Sequence, residues 1–261
     1  MIRLHINPTF QTLLQANNLS SYSQIMQTSS GTIIEDDCSR DVRCLDLDGQ
    51  KLYLKRCRRE KLSSALESYS LGKLAHSKPY KEMLQFRYLA QRHFAVAEVV
   101  AAGEELNYGM PLKGFIMTRE VPGQDLALVY RAADKDTRHC IMSDFGSLLG
   151  RLHNFGFYGS TRLKDIFIDG DPCKSPTLTL IDRETRSPYP RPVRQNKVLN
   201  RLLLNVYRQA KQGEIFSSSE WRVFAENYRR ALGKHLSIDA KALLIAILGK
   251  LDQPGKAYLQ E

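Results

Sequence analysis

The sequence predicts a two-lobed α+β fold, β-rich over residues 1–121 and helical over residues 122–261. Three observations carry this. Residues 31–56 alternate apolar and polar side chains around Asp48-Gly49, the period of a half-buried strand pair folded about a hairpin turn. The pattern turns from strand-like to helical after Pro122-Gly123, a breaker pair. Beyond it, Cys140-Ile141, Phe145, Leu148-Leu149 and Leu152 recur at intervals of three and four, the apolar stripe of a buried helix. A chain of 261 residues is long enough for two small cores.

In chain order, the run 31–56 reads as a β-hairpin whose second strand, LYLK, ends on Lys55. Residues 58–78 are polar and basic and read as short helix and loop. From Lys81 to Arg92, Met83, Phe86, Leu89 and Ala90 fall at helical spacing, with Glu82 one position off the stripe. The runs AVAEVVAAGE and KGFIMTREVPG are strand-like and bounded by glycine and proline. The N-terminal lobe is therefore mostly antiparallel sheet with one important helix, and a hinge is expected near 118–124. Helix 134–153 follows, then a loop, a turn rich in Gly, Asp and Pro over 169–176, and a short strand, LTLID, ending at Asp182. Past Pro192 the chain is helical again, and Ser217-Ser218-Ser219-Glu220 has the form of a helix-capping start.

Thirty-eight Lys and Arg against 28 Asp and Glu leave a net charge of +10. That excess favours an anionic partner: nucleotide phosphates, nucleic acid or an acidic membrane surface. No nucleic-acid-binding module is present and the aromatics fall at core spacing, which argues against nucleic acid. The five cysteines are scattered, with no C-x-x-C pair, so reduced thiols in a cytosol and no zinc site are expected. The N-terminus lacks a secretory pattern, and no span nears the roughly 20 apolar residues that cross a bilayer.

Phosphoryl transfer asks for positioned charges: a lysine on the phosphates, a glutamate holding it, acids for a metal, and a base for the acceptor hydroxyl. Lys55 at a strand end, Glu82 on the next helix seven residues before Leu89, and Asp182 at the end of an apolar strand supply the first three. Taken singly, each is an ordinary surface or turn charge. Asp144-Phe145-Gly146 spells a known magnesium motif, but it lies inside the helical run before the loop and is rejected.

Taken together, LDGQKLYLKR, KEMLQFRYL with VAEVVAAGE, FIMTREVPG, GRLHNFGFYGSTRLKDIFI, LIDRETR and FSSSEWRVFAENYRRAL resemble the lipopolysaccharide core kinases. These are the heptose and Kdo kinases of Gram-negative inner-core synthesis, relatives of eukaryotic-like protein kinases. The resemblance runs in family order over roughly residues 30–232. It implies a protein-kinase-like fold, ATP and Mg2+ as cofactors, and an anionic glycolipid or sugar as acceptor. It also implies a cytoplasmic protein, either soluble or peripheral on the cytoplasmic face of the inner membrane. It assigns the phosphate lysine to Lys55, its glutamate to Glu82, the metal acid to Asp182, and the adenine-facing backbone to Arg119 and Val121. His153 matches a structural histidine at the helix end.

The catalytic loop departs from the family pattern His-Gly-Asp-Leu-x-x-x-Asn. Tyr158 stands at the histidine, Ser160 at the catalytic aspartate, and Asp165 at the metal-binding asparagine. A serine hydroxyl has no useful basicity near neutral pH, and loss of a base costs about 10²–10⁴ in rate. Asp165, Asp169 or Asp171 could supply a carboxylate in its place, and Asp165 with Asp182 could hold magnesium. Against activity, the segment Ser29–Asp37, at the nucleotide-covering position, has one glycine and several acids that would repel phosphate. Two readings stay open: an ATP-dependent sugar kinase, and a catalytically impaired relative that binds nucleotide or a partner kinase. Two basic groups, Arg56, Arg58, Arg59 and Lys61, and Arg183, Arg186, Arg191 and Arg194, are expected either as solvated faces or as a groove for an anionic acceptor.

Overall fold

The protein, a computed structural model, is described over residues 1–60, 75–183, 187–211, 216–233 and 239–251. It divides into two compact units. One spans Met1–Val121 with a short return that includes Ser187 and Pro188; the other spans Pro122–Arg183 and the chain from Tyr189 onward. The expected short helix and loop after Arg59, with Lys61, and also Arg186, lie outside the described residues.

The first unit is a six-stranded antiparallel sheet of β1 (Ile2–Ile6), β2 (Thr32–Asp36), β3 (Arg40–Leu47), β4 (Gln50–Cys57), β5 (Val99–Asn107) and β6 (Met110–Arg119), in the order β1-β5-β6-β4-β3-β2. Asp48 and Gly49, at φ 52° and 78°, make the two-residue turn between β3 and β4. Positive φ at both central residues is what the strand twist asks of such a turn. Along β4 the side chains alternate. Leu52 and Leu54 join a core with Leu45, Phe115 and Met117, and this core is covered by Leu14, Tyr22 and Ile25 from two short helices, α1 (Gln11–Ala16) and α2 (Tyr22–Gln27).

The opposite face of the sheet meets α3 (Lys78–Ala90), where Met83 and Phe86 pack with Ala102 and Ile116. Ser77 caps this helix by accepting from the Tyr80 N–H. Met83, Phe86 and Leu89 are buried as their spacing predicts; Ala90, the last residue of the helix, is exposed. Lys55 pairs in register with Ile116, so it lies on the α3 side of the sheet.

The second unit has β7 (Gln124–Asp125), α4 (Leu126–Ala132), α5 (Lys135–Asn154), β8 (Ile166–Asp169), β9 (Thr177–Leu180), α6 (Gln195–Lys211), α7 (Ser218–Leu232) and α8 (Ala240–Leu251). The three strands form one antiparallel sheet in the order β7-β8-β9. Ser217 and Glu220 close a reciprocal capping box at the start of α7. A Cβ on Gly146 or Gly150 of α5 would lie 2.5 Å from the Phe224 or Tyr228 carbonyl of α7. The glycine of the Asp144-Phe145-Gly146 string is therefore a helix-packing residue, which explains why the string is not a metal motif.

One expectation is corrected. Cys140 on α5 and Cys173 in the β8–β9 turn are joined as a disulfide, with Cα atoms 5.3 Å apart; the other three cysteines are free thiols. A sequence separation of 33 hides the contact from sequence spacing, because it arises only when the β8–β9 turn folds back beside α5.

Candidate active site

In the first unit, β4 and α3 bring Lys55 and Glu82 together: Nζ lies 3.1 Å from Oε1, with the two side chains 27% and 11% exposed. A carboxylate that buried keeps its charge only beside a cation. The pair fixes the ammonium at one place near the sheet end, and one of its three donors goes to Glu82. At the end of β6, the Arg119 N–H already donates to the Glu98 carbonyl. The Arg119 carbonyl and the Val121 N–H are then the groups that carry the expectation of an adenine edge; the Val121 side chain packs on the α3 face of the sheet.

The acids expected to repel phosphate are neutralised locally. Glu35 pairs with Arg40 at 2.6 Å and Asp36 with Arg58 at 3.0 Å. Asp37 is held at about 2 by hydrogen bonds from the Ser39 backbone and hydroxyl and from Arg40. Of the first basic group, expected as a solvated face or an acceptor groove, Arg58 and Arg59 are exposed and Arg56 is structural. Arg56 is buried, forks onto Asp41, and donates to the Met26 and Thr28 carbonyls at 3.0 and 2.7 Å.

In the second unit the catalytic-loop stretch follows α5. The His153 ring is fully buried and its Nδ1 lies 2.7 Å from the Tyr228 hydroxyl. Burial, aided by the Arg183 and Arg201 charges, pushes its pKa down to about 3, so it is a neutral packing group. Tyr158 donates to the Pro192 carbonyl and lies beneath the Lys197 ammonium, 5.4 Å from the ring centre. The Ser160 Oγ is buried and has no hydrogen-bond partner among the described residues. Arg183, expected on a solvated face or in an acceptor groove, is instead 1% exposed. It donates to the Ser160 carbonyl at 3.4 Å and to the Thr161 hydroxyl, locking the loop from within; of its group, Arg194 is exposed.

Asp165 closes the short 3-10 turn Leu163–Asp165 and is 3% exposed. Both its oxygens are taken by Arg162: Nε to Oδ2 at 2.8 Å and Nη2 to Oδ1 at 2.7 Å, with the Arg162 N–H on Oδ2 at 2.9 Å. Burial raises its pKa, Arg162 opposes that, and the Asp182 charge adds to the rise. Asp182 lies two residues past β9, which stops at Leu180 rather than at the acid. The adjoining Ile181 N–H donates to the Asp165 carbonyl at 3.0 Å. Within the second unit the chain thus brings Asp165 and Asp182 together; within the first, β4 and α3 bring Lys55 to Glu82.

Magnesium is usually held by one or two carboxylates plus phosphate oxygens and water. Asp182 is a carboxylate of the type that role asks for, close enough to Asp165 to act on it by charge. The Asp165 carboxylate is turned onto Arg162, and among the described residues no group of three acids, histidines or cysteines is gathered to hold a metal. Arg162 escaped sequence reading as a site residue, and Arg183 was read only as a solvated-face or acceptor-groove charge. An arginine three residues before an acid in a loop was the available signal for the first.

No protein-family model matches the chain, and no curated protein matches it in sequence. Among solved structures, WaaP in complex with acyl carrier protein is similar at 15% identity and a TM-score of 0.67, over 97% of this chain and 96% of WaaP. Two structures of WbdD, described as a bifunctional kinase-methyltransferase, one of them a co-crystal with the kinase inhibitor LY294002, match at 17% and 18% identity. Their TM-scores are 0.40 and 0.41, over 84% and 83% of this chain and 44% of each WbdD chain. The likeness to WaaP runs through nearly the whole of both chains, and the chain has the protein-kinase-like α+β fold expected from its sequence.

Proposed function

We propose that the chain is a kinase-like phosphotransferase that takes ATP with Mg2+ and phosphorylates a sugar hydroxyl in lipopolysaccharide core, or in a related glycolipid. The observation that carries this reading is the Lys55–Glu82 ion pair, built between the strand and helix that the resemblance assigned to it; the fold shared with WaaP supports it. Lys55 holds the α- and β-phosphates and Glu82 positions it. The Arg119 carbonyl and the Val121 N–H meet adenine, and Asp182, adjoined by Asp165, is the metal-binding carboxylate. Magnesium supplies charge neutralisation on the phosphates. Ser160 takes no proton. A loose phosphoryl-transfer transition state places little demand on a base, so turnover is slow. Among the described residues no helix is long and apolar enough to cross a membrane, and contact with the cytoplasmic face of the inner membrane is peripheral in this reading.

A second reading, a catalytically impaired member that binds nucleotide and regulates a partner kinase, is favoured by the buried Ser160 Oγ. Thermal shift with Mg·ATP and phosphate transfer to purified core oligosaccharide separate the two. We expect Lys55→Ala to weaken ATP binding by about 10–100-fold, the loss of one charged hydrogen-bonding contact, and Asp182→Ala to abolish transfer. Transfer by wild type supports the enzyme. Binding without transfer, with activity appearing in Ser160→Asp, supports the impaired relative, and no ATP binding removes both.

A further inference from the structure

We propose that Arg162 is the resident cation of the Asp165 carboxylate, so that this chain meets nucleotide phosphates with one divalent ion, at Asp182, and not with two. The inference rests on the phosphotransferase reading and concerns the same site.

The guanidinium forks onto both Asp165 oxygens at 2.7 and 2.8 Å, and the Arg162 N–H takes a further lone pair at 2.9 Å. Three of the roughly four lone-pair positions of a carboxylate are then filled. The geometry is the strong bidentate, charge-assisted one, with the side chains 22% and 4% exposed. Cation and anion are three residues apart on one 3-10 turn, closed by the Asp165 N–H on the Arg162 carbonyl. The pair therefore moves as a unit with the loop.

That turn is tied down on both sides. The Ile181 N–H holds the Asp165 carbonyl, and Arg183 holds the loop at Ser160 and Thr161. A divalent ion arriving at Asp165 would meet a carboxylate already neutralised by one guanidinium, with the Arg183 cation anchored on the same loop. It would have to break the fork and then sit beside two positive charges. A planar, always-charged guanidinium suits a fixed internal cation better than an exchangeable metal ion does.

The test counts Mn2+ bound to the full chain by electron paramagnetic resonance, with and without a non-hydrolysable ATP analogue whose own binding is followed by fluorescence. The expected wild-type result is one Mn2+ per bound nucleotide. Asp165→Asn is expected to leave that count at one and to change Mn2+ affinity by no more than about twofold, whereas Asp182→Asn weakens it by at least about tenfold. Arg162→Ala, where circular dichroism shows it folded, gains a second Mn2+; the wild-type and Asp165→Asn counts decide the matter even where it does not fold. Two Mn2+ per nucleotide in wild type, or a tenfold loss in Asp165→Asn, overturns the inference and leaves the phosphotransferase reading standing. Absence of nucleotide binding in wild type overturns that reading, and the inference with it.

Discussion

Because the His153 imidazole is fully buried, with Tyr228 and Tyr158 rings against it and the Arg183 charge nearby, its protonation opposes folding. Its pKa falls from 6.5 to about 3, so between those values the unfolded chain binds a proton that the folded chain does not. The sign follows: this residue's contribution to stability is complete above pH 6.5 and is lost as pH falls toward 3, by on the order of 4 kcal/mol. Urea unfolding at pH 7.5, 5.5 and 4.5 is expected to show a steeper loss in wild type than in His153→Gln, which has no proton to take up. Parallel profiles would refute it. At this scale the sequence was informative about single charges and silent about their neighbours. Lys55 and Glu82 could be read from strand and helix positions, because each element has a fixed period. Only the spacing of three residues hints that Arg162 turns back onto Asp165, and nothing in a linear string tells that the Ser160 hydroxyl points inward.

Between elements, the Cys140–Cys173 link ties α5 to the β8–β9 turn, whose second strand leads to Asp182. Closing a loop of 33 residues removes about 3–4 kcal/mol of chain entropy from the unfolded state. Cys173→Ser is expected to lower unfolding free energy by about 2–4 kcal/mol, and reductant should bring wild type to the same urea curve. A wild-type curve that reductant does not move would sink this. Elements themselves were legible where local chemistry dictates them. Asp48-Gly49 announces its hairpin, whereas the β5–β6 turn at Tyr108-Gly109, with φ 47° and 80°, has the same geometry behind a less telling first residue. Helix α5 was readable from its stripe; that Gly146 and Gly150 serve its approach to α7 was not, because close approach is a property of two helices at once. The basic runs misled for a related reason. Arginines at 56 and 183 look like surface charge in a sequence, and in the fold each is buried among acceptors that other elements provide.

Across the whole chain the net charge of +10 is unevenly spent. Arg40, Arg56, Arg58 and Arg162 are paired with acids, so they add little to an outward field. Helix α6 is different: Arg194 just before it, then Lys197, Arg201 and Arg208, recur at intervals of three, four and seven. Those intervals lay Lys197, Arg201 and Arg208 along one stripe of the helix with Arg194 one residue before its start; Lys197 is turned over the Tyr158 ring, and no acid interrupts the sequence 194–211. Arg194 and Arg208, near its two ends, are exposed. A stripe of this kind suits an anionic lipid surface, where each cation is worth about 1 kcal/mol within a Debye length of roughly 10 Å at 0.1 M salt. The peripheral contact proposed for the chain would run through this helix. Binding to vesicles containing phosphatidylglycerol should therefore weaken steeply as NaCl rises from about 50 to 300 mM. The double variant Arg194→Ala/Arg208→Ala should lower the partition coefficient by about 30-fold, the equivalent of about 2 kcal/mol. Cosedimentation reads both effects. Equal binding to zwitterionic vesicles, or a variant that partitions like wild type, would show that the stripe on α6 serves solubility and not a membrane.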